Sequence, residues 1–249
     1  LSPDTISFTN LISSLAASGE WQRSLCLLAE MNHQHLKPSV LSYNSAMTAC
    51  NKSSESGPGA SWQWALRLFH ALPSKKVAPD ALSYNIAMSA LERGGDWTGA
   101  LWLLEAAGPS PYLRAYGDED QVEGAVLAQW KKMQLLAISC LSKAQRPGEA
   151  LALLRNLIDQ GAHHLWLEGA AVDLHGLSTE VGVVLAMLAL MEQASGGEPG
   201  DLVLVTGKRQ HSHHADASMQ EAVLELMKEL EMDCHVEASN HGRVRVPSV

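Results

Sequence analysis

The stretches PSVLSYNSAMTAC at residues 38–50 and PDALSYNIAMSAL at residues 79–91 are two copies of one pattern. Self-similarity at a fixed period decides an architecture before any local signal does. A third copy, PDTISFTNLISSL, stands at 3–15, and each copy is followed by a second apolar segment. Those segments are WQRSLCLLAEM at 21–31, WQWALRLFHAL at 62–72 and WTGALWLLEAAG at 97–108. A weaker fourth unit is QLLAISCLSKAQRPGEALALLRNLIDQG at 134–161.

The spacing between paired segments is regular. Thr9 to Ser24, Asn85 to Ala100 and Leu135 to Ala150 are each fifteen residues apart, whereas Asn44 to Ala65 is twenty-one. The six extra residues fall in NKSSESGPGAS, which has loop composition, so an insertion at 51–61 separates two intact helices. Apolar residues in the second segments recur with a helical period, as Leu25, Leu28 and Met31 do, and as Leu101 and Leu104 do. Trp21, Trp62 and Trp97 each open a second helix, where they are expected to pack between neighbours. Each unit then reads as a helical hairpin of ~35 residues that buries its apolar face only by stacking on the next, giving an α solenoid. The segment AGPSPYLRAYGDEDQVEG at 107–124 breaks the rhythm and reads as a second inserted loop.

The pattern P-D-x-x-S-Y-N followed by A-L-x-L-L resembles the pentatricopeptide repeat family over residues 1–161, about four repeats. That resemblance implies a solenoid that binds single-stranded RNA, one base per repeat, read by two or three side chains. One reading position is the fifth residue of the first helix and the other lies at the end of the repeat. Carried over, unit one offers Thr9 with Ser39, unit two offers Asn44 with Asp80 in a combination resembling the uracil-preferring one, and unit three offers Asn85. Unit four offers Leu135, which cannot hydrogen-bond a base edge. The alternative for these polar residues is plain solvation in a first turn.

The remaining composition sets limits. With 249 residues, 46% apolar and 18% charged, the chain can bury a core in one large or two ordinary domains. No apolar run reaches the length needed to cross a bilayer. The opening LSPDTISFTN reads as the middle of a unit, so the chain is expected to be a piece of a longer one whose targeting segment precedes it. Cys26, Cys50, Cys140 and Cys234 form no C-x-x-C pair and sit in apolar runs, as small buried thiols of a reducing compartment do. The net charge of −9 excludes a simple basic nucleic-acid binder. It is unevenly spread: residues 1–165 carry 13 Lys and Arg against 14 Asp and Glu, residues 166–249 carry 5 against 13. That asymmetry points to a second domain.

The periods change from residue 166. VDLHG at 172–176 and DLVLVTGK at 201–208 read as strands, STEVGVVLAMLALMEQAS at 178–195 and ASMQEAVLELMKELEMD at 217–233 as helices. CHVEAS and RVRVP read as two short strands joined by the turn sequence NHG. The order β-α-β-α-β-β predicts a small α/β sandwich. If Val172 to His175 is strand, Asp173 and His175 share a face, an acid and an imidazole side by side where a strand ends.

Three segments, VDLHGLS, TGKRQHS and SNHGRVRV, together resemble the small MutS-related (Smr) domain over 166–249. Smr domains bind nucleic acid and some nick it, and repeats of the first kind joined to a C-terminal Smr domain are a known organellar pairing. The resemblance therefore implies RNA processing or gene expression in an organelle, the chloroplast before the mitochondrion. It also implies an endonuclease in which His175 is the acid/base and Asp173 its orienter. Gly176 lets a phosphate backbone approach, and Gly207, Lys208, Arg209, His211, Ser212 and Arg243 bind phosphate. Arg209 stands where the family's T-G-x-G motif has its second glycine. Mg²⁺ is the cofactor such chemistry would take. The cluster His211, His213 and His214 lacks the frame of a dedicated metal site. His175 as a structural histidine, a non-catalytic docking module for transcription or translation proteins, and a DNA-nicking nuclease are the competing readings.

Overall fold

The second residue of each copy caps the helix it opens. Asp4 accepts the Ser7 N–H at 2.8 Å, while Ser39 with Ser42 and Asp80 with Ser83 form reciprocal capping boxes. The first unit pairs α1 (Thr5–Ser18) with α2 (Trp21–His33). The second pairs α3 (Val40–Lys52) with α4 (Ser61–Ala71), and the third α5 (Ala81–Gly94) with α6 (Trp97–Ala107). Gly19 at φ 72° and Gly95 at φ 67° end α1 and α5 in the left-handed conformation that turns each hairpin. The computed structural model describes residues 4–53, 61–107, 119–159, 166–167, 170–195, 200–207, 215–238, 240 and 242–247. They fall into two compact units, Leu1–Cys140 and Leu141–Val249.

In the first unit each first helix packs on its own partner and on the next first helix, α1 on α3 and α3 on α5. Fully buried alanines at 46, 49, 65, 87, 90 and 100 let the helices approach, and Ile12, Met31, Met47, Leu72 and Met88 fill the space between them. The opening tryptophans are half-buried rather than core. Trp62 lies flat against the end of α5, where a Cβ on Gly94 would stand 2.6 Å from its ring.

The fourth unit opens differently. Its first helix, α7 (Glu119–Lys143), runs 25 residues, so the loop expected to reach residue 124 is helical from Glu119. Residues 54–60 and 108–118 of the two expected insertions lie outside the described residues. Helix α8 (Pro147–Asp159) follows.

The second unit carries β1 (Trp166–Leu167), β2 (Ala171–Asp173), α9 (Thr179–Ala194), β3 (Leu202–Val205), α10 (Ala215–Glu229), β4 (His235–Val236) and β5 (Arg243–Val246). The predicted order appears with one added edge strand, β1, in a segment read partly as loop. The mixed sheet runs β1-β2-β3-β5-β4, with β2 and β3 parallel and the other pairs antiparallel. Parallel pairing needs a crossover, which α9 supplies. Helix α9 packs on α8, α10 and β3. Val172, Leu204 and Val244, in one row of the sheet, are buried with Leu174, Leu185, Val223 and Met227.

Candidate nucleic-acid interface

The fifth residues of the first helices are not solvated. Thr9 is 6%, Asn44 2% and Asn85 5% exposed, and each is hydrogen-bonded toward the following first helix. Thr9 Oγ1 lies 2.8 Å from Ser42 Oγ. Asn44 Nδ2 donates to Asp80 Oδ1 at 2.9 Å, and Asn44 Oδ1 accepts from Ser83 Oγ at 2.8 Å. Asn85 Nδ2 donates to Gln129 Oε1 at 2.7 Å. The pair Asn44 and Asp80 is thus joined directly, with Asp80 also capping α5. Thr9 and Ser39 are not joined: Thr9 meets Ser42, and Ser39 caps α3. Asn85 differs from Asn44 in one respect. Its Oδ1 is buried and has no partner among the described residues.

Sequence reading missed a second row. Ile6, Leu41 and Leu82 each stand two residues after a cap, and they are 70%, 54% and 50% exposed. Apolar side chains exposed at equivalent places in three repeats make a stepped row beside the polar one. The signal was available: the second helical residue is Ile, Leu and Leu in turn, off the buried stripe of its helix. A groove of about 350 Å³ opens between α3, α5 and α7 beside Leu82 and Asn85, with Lys52 and Lys132 on its walls.

In the second unit three sequence motifs meet at one end of the sheet. Asp173 is in register with Val205, and Val205 with Arg243. Residues paired in register point to the same face, and adjacent strands lie about 4.8 Å apart. Asp173 and Arg243 therefore flank Val205 on a face that is half-buried to exposed. Thr206 is 2% exposed, and both its N–H and its hydroxyl donate to the Gly242 carbonyl, at 2.8 and 3.2 Å. This ties the loop after β3 to the turn before β5. Gly207 follows at φ 97°. Lys208, Arg209, His211 and Ser212 lie outside the described residues.

The expectation that Asp173 and His175 share a strand face needs correction. Strand β2 ends at Asp173, and His175 sits in an exposed turn closed by the Leu177 N–H to the Leu174 carbonyl. Asp173 Oδ1 accepts the backbone N–H of His175 at 2.9 Å, so the carboxylate fixes the turn and does not hold the imidazole. Gly176 completes that turn at φ 76°, a left-handed angle, with open space where a Cβ would be. Among the described residues no group of three or more His, Cys, Asp or Glu is placed to hold a metal ion, and no helix is long and apolar enough to cross a membrane.

The thiols are unevenly placed. Cys50 and Cys140 are buried and Cys234 is half-buried, but Cys26 is exposed, against expectation, on the outer side of α2. Burial pushes the Cys50 thiol up to about 12.

The matches to known families fall in the first unit. A family model described as pentatricopeptide repeat domain matches residues 1–53, and one described as PPR repeat matches residues 82–106. No curated protein matches the chain in sequence. Among solved structures, the PPR domain of Arabidopsis thaliana protein-only RNase P 1 in complex with tRNA is similar with a TM-score of 0.51 at 10% identity, covering 92% of this chain and 91% of that one. The pentatricopeptide repeat protein PPR10 from maize gives 0.41 at 14% identity, covering 93% of this chain and 35% of that one. PPR10 in complex with an 18-nt psaJ RNA element gives 0.39 at 14% identity, with 93% and 39% covered. At 10% identity the first of these likenesses is one of fold alone. Residues 1–53 and 82–106 carry pentatricopeptide repeats.

Proposed function

We propose that this chain, a pentatricopeptide repeat array with a small mixed sheet after it, binds single-stranded RNA through its repeats and contacts or cuts nucleic acid through a small MutS-related domain at 166–249. The observation that carries the first part is the double row on the first helices. Polar Thr9, Asn44 and Asn85 run beside exposed Ile6, Leu41 and Leu82 at one place per repeat. Apolar steps accept base faces, and the polar edge beside them supplies discrimination. Asn44 with Asp80 keeps the reading that resembles the uracil-preferring one, and Thr9 is read with Ser39. The reading assigns residues 1–161 to the repeats.

The second part rests on the meeting of Asp173, His175, Gly176, Gly207 and Arg243 at one sheet end. In the catalytic version His175 moves a proton during phosphodiester hydrolysis. Arg243 offsets the phosphate charge, and Lys208, Arg209, His211 and Ser212, which lie outside the described residues, are its further phosphate contacts by the resemblance. Asp173 acts on His175 through the backbone of the turn. One Asp173 oxygen is taken by that turn, and the other would be the protein's ligand to a Mg²⁺, which would supply charge neutralisation at the phosphate. A non-catalytic docking role for this domain in transcription or translation complexes is favoured by one observation: the His175 imidazole makes no hydrogen bond among the described residues. Organellar location follows from the repeat resemblance, while the lean to the chloroplast before the mitochondrion and the partnership with gene-expression proteins follow from its pairing with the Smr resemblance.

The test is a cleavage assay on the whole chain. Labelled single-stranded RNA and supercoiled plasmid are incubated with and without Mg²⁺, beside a folded His175→Ala variant. RNA cleavage that vanishes in the variant establishes the nuclease, and plasmid nicking alone establishes a DNA enzyme. RNA binding without cleavage leaves the docking role.

A further inference from the structure

We propose that the second helices of the repeats carry a docking surface for another copy of this chain. An aromatic and basic ribbon across α2, α4 and α6 of one copy receives the acidic end of the helix pair α9 and α10 of the other, with Met191 and Leu230 as its apolar anchors.

The ribbon is continuous. Trp21 of α2 and Trp64 of α4 have ring centroids 6.4 Å apart. The Arg67 guanidinium lies 4.6 Å from the centre of the Trp64 ring. His70 stands three residues further along α4, on the same helix face, and its ring is 6.4 Å from that of Trp102 on α6. Trp64 is 37% and Trp102 58% exposed. Indoles displayed together on a surface mark a contact site, and Trp and Arg are the residue types that anchor protein interfaces. A guanidinium stacked on an indole face still offers its N–H edge to a carboxylate. A nucleic-acid strand fits this layer poorly. Arg23 on α2 is taken by Glu20 at 2.6 Å, and Glu30 and Glu105 stand exposed on the same helices.

The second unit holds the complement. Strands β2 and β3 are parallel, and β4 runs with β3 because both pair antiparallel to β5. Helices α9 and α10 therefore both return against the strands and lie parallel, packed together. They meet near their starts, where a Cβ on Gly182 would stand 2.4 Å from Met219 Sδ. Met191 lies nine residues beyond Gly182 and Leu230 eleven beyond Met219, so both emerge at the same end of the pair. They are the large apolar side chains exposed in this unit among the described residues. Glu192, Glu229, Glu231 and Asp233 surround that end with Lys228 among them. The closing carbonyls of two parallel helices add to the negative potential there. Arg67 and His70 offer N–H donors to these carboxylates, and Glu105 at the ribbon's edge suits Lys228. The two faces differ, so the contact is heterologous and each copy presents one of each.

The experiment is sedimentation velocity of the whole chain over a concentration series. The variants are Arg67→Glu, the double change Glu229→Lys with Glu231→Lys, and Lys37→Glu as an exposed control outside both faces. Circular dichroism checks that each is folded. The unaltered chain and Lys37→Glu are expected to associate as concentration rises, while each of the other two variants stays a single chain. Mixed together, those two should associate again, because each keeps the face the other has lost. A merely misfolded variant would not recover in this way. An unaltered chain that stays single at every concentration overturns the proposal. Association that survives Arg67→Glu, or a mixture of the folded variants that stays single, overturns it as well.

Discussion

Asn44 spends both ends of its amide inside the protein, donating to Asp80 and accepting from Ser83 at 2% exposure. Asn44→Ala leaves a buried hydroxyl and a capping carboxylate short of a partner, so it should lower stability by about 1–3 kcal/mol, measured by urea unfolding of the whole chain. Asp80→Asn keeps an acceptor for the Ser83 N–H and should cost less. The thiols give a second prediction at this scale. At pH 8 in the native state a thiol reagent should modify Cys26 first, while Cys50, its thiol pushed up to about 12, and buried Cys140 react only on unfolding. The reverse order would place α2 the other way round. The position of Asn44 was legible because the repeat names it. Its partners were not, because they lie 36 and 39 residues on and depend on how two hairpins stack. His175 was misread for a local reason. Alternation along a strand says nothing of where the strand stops, and here the Asp173 carboxylate stops it.

Helix starts were the most legible elements, since Asp4, Ser39, Asp80 and Ser178 each cap the helix after them. The start of α7 was not, because glycines, proline and tyrosines before residue 119 give loop signals and the charged residues after it give no apolar period. Close approach between elements is testable by adding one carbon. Gly94→Ala drives a Cβ into the Trp62 ring, which cannot fold away as a flexible chain can, so it should cost about 1–3 kcal/mol by thermal or urea unfolding. Gly176→Ala meets open space but sits at φ 76°, so its cost should be the conformational one alone, about 1–2 kcal/mol, and it should fall on the turn that carries His175. If Gly176→Ala proves neutral, the turn carrying His175 has another shape.

For the molecule as a whole, the charge division at residue 166 falls at the first strand, whereas the compact unit that holds the sheet begins earlier, at Leu141, and includes α8. The prediction that belongs here concerns where a strand lies. Photocrosslinking of single-stranded RNA to the whole chain should give adducts on α1, α3, α5 and α7, near Ile6, Leu41 and Leu82, and none on α2, α4 or α6. Adducts on the second helices would move the strand to the other layer. The hydrogen bonds between successive first helices carry a further meaning. On the proposed RNA reading, the edge that would question a base at Asn44 is already answered by the chain, so a nucleotide would have to displace Asp80 and Ser83 before it is read. One that fits returns what it displaces; one that fits poorly finds the question closed. The repeat tests its guest against itself.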